Sequence, residues 1–197
     1  ININTSPVLD VNRSYSHNII GSRSFSKNTN VVSLLGKFCV DFYSKNSIGT
    51  VVKHIPGHGA SIVDSHKKLP IINISKKDLF KKDFKPFVGT NSFFAMTAHI
   101  VYSKIDKKNT ATHSKTLIKK IIRKYIGFKG ILISDDVSMK ALKYDLETNV
   151  KKALYAGCNL VLHCNGNIKE MHKLTKIVPN IDSFTIKKTS DFYNFLG

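Results

Sequence analysis

The sequence predicts an α/β protein of the (β/α) barrel type, and three observations carry that prediction. Short apolar runs that suit buried parallel strands alternate with amphipathic helical patterns. No Gly-x-Gly-x-x-Gly follows the first run, which argues against a doubly wound dinucleotide-binding sheet. Chemically versatile polar residues close at least four of the runs, and a barrel collects such residues at its carboxyl face. Eight βα units need about 250 residues, whereas the chain has 197. The expectation is therefore an incomplete (β/α)8 TIM-barrel type fold lacking its first βα units, with residues 1–197 as a single, N-terminally truncated domain.

Taken in order, residues 1–10 (ININTSPVLD) form the first expected strand. A helix is expected over 31–43, where Val31, Leu34, Leu35, Phe38 and Phe42 follow the spacing of a face packed on a sheet. Strands follow at 49–54 (GTVVKH), 92–99 (SFFAMTAH), 130–135 (GILISD) and 159–164 (NLVLHC). Ser114 is placed to cap a helix that runs to Tyr125 and stops at Gly127. Further helices are expected over 146–156, ending at Gly157, and 168–178, ending at Pro179. Residues 181–186 (IDSFTI) read as a sixth strand.

A composition of 42% hydrophobic and 22% charged residues excludes a disordered or collagenous chain. No apolar run approaches the roughly 18 residues of a membrane helix, and the first residues lack the pattern of a signal peptide. A cytoplasmic protein without a membrane partner is expected. Cys39, Cys158 and Cys164 are odd in number and form no C-x-x-C pair, so they read as reduced core thiols. The net charge of +18 raises the question of nucleic acid. Against it, 28 Lys stand beside only three Arg, and nucleic-acid readers depend on the arginine fork. The lysines are spread over the expected helices and read as solvated faces.

The densest cluster of chemistry is Lys53-His54-Ile55-Pro56-Gly57-His58-Gly59, followed by Asp64-Ser65-His66. A strand end followed by Pro and two Gly predicts a sharp, mobile loop that holds its polar side chains over a pocket. Asp64 and His66 project to one side of an extended segment, so the carboxylate can hold one imidazole nitrogen and present the other as a general acid/base. The bland alternative is a solvated loop. His54, His58 and His66 also invite a metal reading, but Pro56-Gly57 breaks any helical His-x-x-x-His face, and no metal is expected. Asp135, at the end of an apolar run, is placed to attack an electrophilic carbon or to stabilise a cation. Asp136 beside it suits a cap or hydrogen bonds to neighbouring loops. Arg23, on the loop after the first strand, could grip sugar hydroxyls. His99 either lines the same mouth or packs as a hydrogen-bonded core histidine.

Together, Lys-His-x-Pro-Gly-His-Gly, Asp-Ser-His and the later Ser134-Asp135-Asp136-x-x-Met139 closely resemble the bacterial β-N-acetylglucosaminidases (β-hexosaminidases) of glycoside hydrolase family 3. Residues 6–10 (SPVLD), 21–25 (GSRSF), 96–99 (MTAH) and 156–162 (AGCNLVL) extend the resemblance over nearly the whole chain. It implies retaining hydrolysis of terminal β-linked N-acetylglucosamine, typically from muropeptides in cell-wall recycling, by a cofactor-free monomer whose partner is a small carbohydrate. It also implies that Asp135 is the nucleophile, that His66 is the acid/base oriented by Asp64, and that Lys53, His54 and Arg23 bind the sugar. Ser22 and Asn159 depart from the family, which has Asp at both places. The family's first two βα units have no counterpart before Ile1, so an exposed edge strand and exposed apolar helix faces are expected. Competing readings are a β-glucosidase or N-acetylglucosaminide phosphorylase of the same family, and a basic polyanion-binding protein on an inactive glycosidase scaffold.

Overall fold

The computed structural model describes residues 1–14, 20–63 and 68–197. Five parallel strands form one curled sheet, a half-barrel, in the order β1 (Ile3–Asn4), β2 (Gly49–Ile55), β4 (Phe94–Thr97), β6 (Ile131–Asp136) and β7 (Leu160–Leu162). A separate parallel pair, β3 (Ile71–Ile72) and β5 (Val101–Tyr102), lies beyond the end of β4. The observed β1 is much shorter than the expected run over 1–10. Pro7 has no N–H to give a ladder, and pairing to β2 resumes only as a bridge between Val8 and Lys53, with Leu9 N–H donating to the Lys53 carbonyl at 2.8 Å.

Alternation along the strands separates two apolar layers. Val52, Ala95 and Leu132 face the helices and join Val32, Val40, Ile118, Ile122 and Ala153 in the larger core. Val51, Phe94, Met96 and Ile131 face the concave side, where Phe192, Phe195 and Leu196 cover them. These last residues belong to α5 (Ser183–Leu196), whose start replaces the strand expected at 181–186. Asp182 decides the matter locally. Its side chain accepts from Thr185 N–H at 2.7 Å, an N-cap that commits the following residues to a helix.

Helix α1 (Thr29–Lys45) forms where expected, capped by Asn28, but with the opposite face inward. Val32, Gly36 and Val40 are buried, while Leu34, Phe38 and Phe42 are 69%, 65% and 56% exposed. Space decides the orientation. A Cβ on Gly36 would lie 2.3 Å from Leu9 Cδ2, so only the small-residue face can approach the first strand so closely. A single helical turn, α2 (Lys76–Asp78), runs into a wider π-type turn at Leu79–Asp83. A second π-type helix spans Leu117–Tyr125, where Ser114 Oγ accepts from Leu117 N–H as expected, and Gly127 follows in the left-handed region. Helix α3 (Leu146–Ala156) ends at left-handed Gly157 as expected, and α4 (Ile168–Thr175) stops short of residue 178.

Asn159, one of the departures from the family pattern, is fully used. Its Oδ1 accepts from Leu132 N–H and from Arg123, and its Nδ2 donates to Thr185 Oγ1, so it ties β6, the π-helix and α5 together ahead of β7. Cys39, Cys158 and Cys164 are free thiols, and burial pushes Cys158 up to about 12. No helix among the described residues is long and apolar enough to cross a membrane.

Candidate active site

The carboxyl ends of β2, β4 and β6, with the loops after β1, gather the polar residues singled out in the sequence. At their centre lies Asp10, which ends the expected first strand and which sequence reasoning did not single out. It is fully buried. His54 Nδ1–H donates to Asp10 Oδ2 at 2.7 Å, His58 N–H donates to Oδ1 at 2.6 Å, and His54 N–H reaches both oxygens at 3.3 Å. Burial by itself would raise the Asp10 carboxyl, but the adjacent His54 imidazole and the N–H donors outweigh it and hold it below the usual carboxylate range. A buried ionised carboxylate only accepts, so it fixes the His54 proton on Nδ1 and leaves Nε2 as the ring's open position. The signal that could have found Asp10 was a charged residue directly after an apolar pair in SPVLD.

The turn after β2 is packed where the sequence predicted a mobile loop over a pocket. Residues 54–61 are all buried. Gly57 adopts φ +142° and sits against the Asp83 backbone, where a Cβ would meet the carbonyl oxygen at 2.6 Å; a Cβ on Gly59 would run into the Val11 carbonyl. Tyr102 Oη–H donates to the Gly57 carbonyl at 2.6 Å. Both glycines of the motif thus serve close backbone approach. His58 lies in the core, its pKa pushed down to about 4 by burial and by His54. Asp64 and His66, the expected acid/base dyad, lie outside the described residues.

Lys53 projects half-buried from β2. Burial lowers its ammonium, and the Arg23 charge lowers it further, while Asp135 and Asp10 oppose the shift. Arg23, Lys53, Asp10 and Asp135 therefore share one electrostatic neighbourhood at the strand ends. Arg23 is exposed, on a one-turn helix at Gly21–Arg23, and Ser24 Oγ–H ties that loop to the Asp10 carbonyl at 2.7 Å. Asp135 is partly exposed at the end of β6, with its Oδ1 accepting from Asp136 N–H at 2.8 Å. Asp136 braces loops, as one of its two expected roles required: it accepts from Ser138 N–H, Ser138 Oγ–H and Cys164 N–H. His99 is a packed, hydrogen-bonded histidine. Among the described residues no three His, Cys, Asp or Glu side chains converge as a metal-ligand set.

Residues 1–189 match the Glycosyl hydrolase family 3 N terminal domain. The chain belongs to this family. It is 36% identical over 171 residues to a β-hexosaminidase of Haemophilus influenzae, covering 84% of this chain and 48% of that protein. A β-hexosaminidase of Psychromonas ingrahamii is 33% identical over 200 residues, covering 98% and 56% respectively. The chain thus spans about half the length of the curated relatives it matches. Among solved structures, NagZ from Neisseria gonorrhoeae in complex with N-trifluoroacetyl-D-glucosamine superposes with a TM-score of 0.86 at 29% identity, over 98% of this chain and 56% of that one. A family 3 β-N-acetylglucosaminidase from Paenibacillus gives a TM-score of 0.85 at 26% identity, over 99% and 39%. The half-barrel is accordingly an incomplete version of the family's α/β barrel.

Proposed function

We propose that this family 3 chain carries the catalytic machinery of a retaining β-N-acetylglucosaminidase that acts in the cytoplasm on small N-acetylglucosaminyl saccharides, muropeptides of cell-wall recycling among them. The observation that supports it best is the convergence of Asp135, Lys53 and Arg23 beside the buried Asp10–His54 pair. In the proposed reaction Asp135 attacks the anomeric carbon, a carboxylate–carbon bond forms, and the bond to the leaving oxygen breaks as His66 protonates that oxygen. His66, oriented by Asp64, then takes a proton from the water that releases the sugar from Asp135. An imidazole with a reference pKa of about 6.5 suits this exchange of acid and base roles near neutral pH. Lys53, His54 and Arg23 hold the sugar, and no cofactor is needed.

The test measures release of a fluorescent aglycone from a β-N-acetylglucosaminide by this chain, by a form extended to the length of its relatives, and by the extended form carrying Asp135→Asn. Turnover that falls by several orders of magnitude in Asp135→Asn and in His66→Ala is the expected result. Unchanged turnover in both variants under saturating substrate would sink the assignment.

A further inference from the structure

We infer that His99 is a positioning residue for Asp135, the last member of a one-way hydrogen-bond chain that runs from Thr97 through Thr112 to His99 and ends on the Asp136 carbonyl. The inference deepens the reading of Asp135 as nucleophile and rests on it.

Proton counting sets the direction of the chain. His99 Nε2 lies 2.9 Å from the Asp136 carbonyl oxygen, which can only accept, so Nε2 carries a proton. Burial lowers the His99 pKa and keeps the ring neutral, with one proton in all, so Nδ1 must accept. Its partner at 2.7 Å is Thr112 Oγ1, whose hydroxyl therefore donates to the ring; the longer 3.2 Å contact of the same hydroxyl with the Ala98 carbonyl is the weaker claim on that proton. With its proton committed, Thr112 Oγ1 accepts at 2.8 Å from Thr97 Oγ1. Thr97, His99 and Thr112 are at most 1% exposed, so water cannot substitute for any member.

The end point of this chain separates it from ordinary core satisfaction. Asp136 is held from five directions: its carbonyl by His99 and by Met139 N–H at 3.1 Å, its carboxylate by Ser138 and by Cys164 N–H, and its own N–H on Asp135 Oδ1. The amide that steadies the Asp135 carboxylate thus belongs to the residue that His99 pins. The other groups whose charge couples to Asp135 are Lys53 on β2, His58 on the turn after it, and Cys164 after β7. None of them is altered by a change at His99.

The test uses this chain as it stands and reads, at about pH 7, the Asp136 amide proton and the Asp135 carboxyl carbon by NMR, together with the nitrogen spectrum of His99. We expect His99 as the Nε2–H tautomer. In His99→Phe the Asp136 amide proton should move upfield and the Asp135 carboxyl carbon should shift with it, because Asp136, no longer held by the ring, presents its N–H less squarely to Oδ1. His99→Gln, whose amide can donate to the same carbonyl, should bring both resonances most of the way back. If His99→Phe does not fold, Thr112→Val decides: it should move both resonances in the same direction, and Thr112→Ser should restore them. An Nδ1–H tautomer, or Asp135 and Asp136 resonances shared by wild type and every folded variant, overturns the inference. None of these spectra depends on turnover, so failure of the glycosidase reading would register separately, in the aglycone assay.

Discussion

Around the strand ends Asp10 and His99 are buried and partnered, Asp10 by His54 and His58, and His99 by Thr112 and the Asp136 carbonyl. Along α1 the arrangement is reversed, with Leu34, Phe38 and Phe42 in solvent and the rings of Phe38 and Phe42 stacked on each other at 6.3 Å. The opposite flank resembles α1 more than the site. Between β7, α4 and α5 lies a groove of about 720 Å³ whose lining includes Leu160, Met171, Val178 and Ile181, all partly exposed. The contrast teaches that polarity alone does not sort this chain into inside and outside. Asp10 and His99 are tolerated in the interior there because each has hydrogen-bond partners. Large apolar groups stay outside on α1 because only a small residue fits against Leu9.

The strongest way to break the contrast is to remove a buried partner. Asp10→Ala would leave His54 Nδ1–H and His58 N–H without their acceptor, and each buried donor left unsatisfied costs about 1–3 kcal/mol. Urea denaturation of the variant should show that loss, and the sugar binding proposed for His54 should fall with it. A midpoint unchanged from wild type would mean that Asp10 is not the organiser of the turn after β2.

A smaller effect is expected at Gly59→Ala. The new methyl would meet the Val11 carbonyl, which is backbone and cannot swing away, so about 1–3 kcal/mol should be lost. Gly166→Ala gives a control at a left-handed glycine with nothing within 4 Å, where only the backbone cost applies. Equal losses in the two variants would remove close approach as the reason for the motif's second glycine.

Acid should weaken the fold through its buried histidines. His58 and His113 are both pushed down to about 4, chiefly by burial, so they stay neutral in the folded chain where unfolded histidines charge. Between about pH 6.5 and 4 the unfolded chain binds more protons, and stability falls as pH falls, by at most about 1.4 kcal/mol per pH unit for each group. Asp83 works against this trend. Burial raises it to about 6, so its contribution is present at low pH and is lost as pH rises through that value. Urea midpoints at pH 7 and pH 5 should still show a net loss at the lower pH, and a flat profile would contradict the burial of both histidines.

The smallest effect belongs to the flank. Phe38→Lys should change stability by no more than about 0.5 kcal/mol, as exposed positions do, and should reduce self-association at high concentration. Were Phe38 buried, as the helical spacing alone predicts, the same change would cost several kcal/mol, so one denaturation curve distinguishes the two faces.

Much of this molecule was determined by local sequence. Parallel strands ending in Lys53–His54 and Asp135, the stop of α3 at Gly157 and the cap of the π-helix at Ser114 all follow from periodicity, capping chemistry and the left-handed freedom of glycine, which act within a few residues. Tertiary structure decided what depends on distant partners. It placed Asp10 at the centre of the site because two histidines more than forty positions away converge on it. It turned the small face of α1 inward because Leu9 occupies the space a larger side chain would need. It also seated the helix that Asp182 caps locally on the concave side of the sheet, which receives Phe192. Periodicity reports which residues share a face, but only packing against the rest of the chain decides which face is buried.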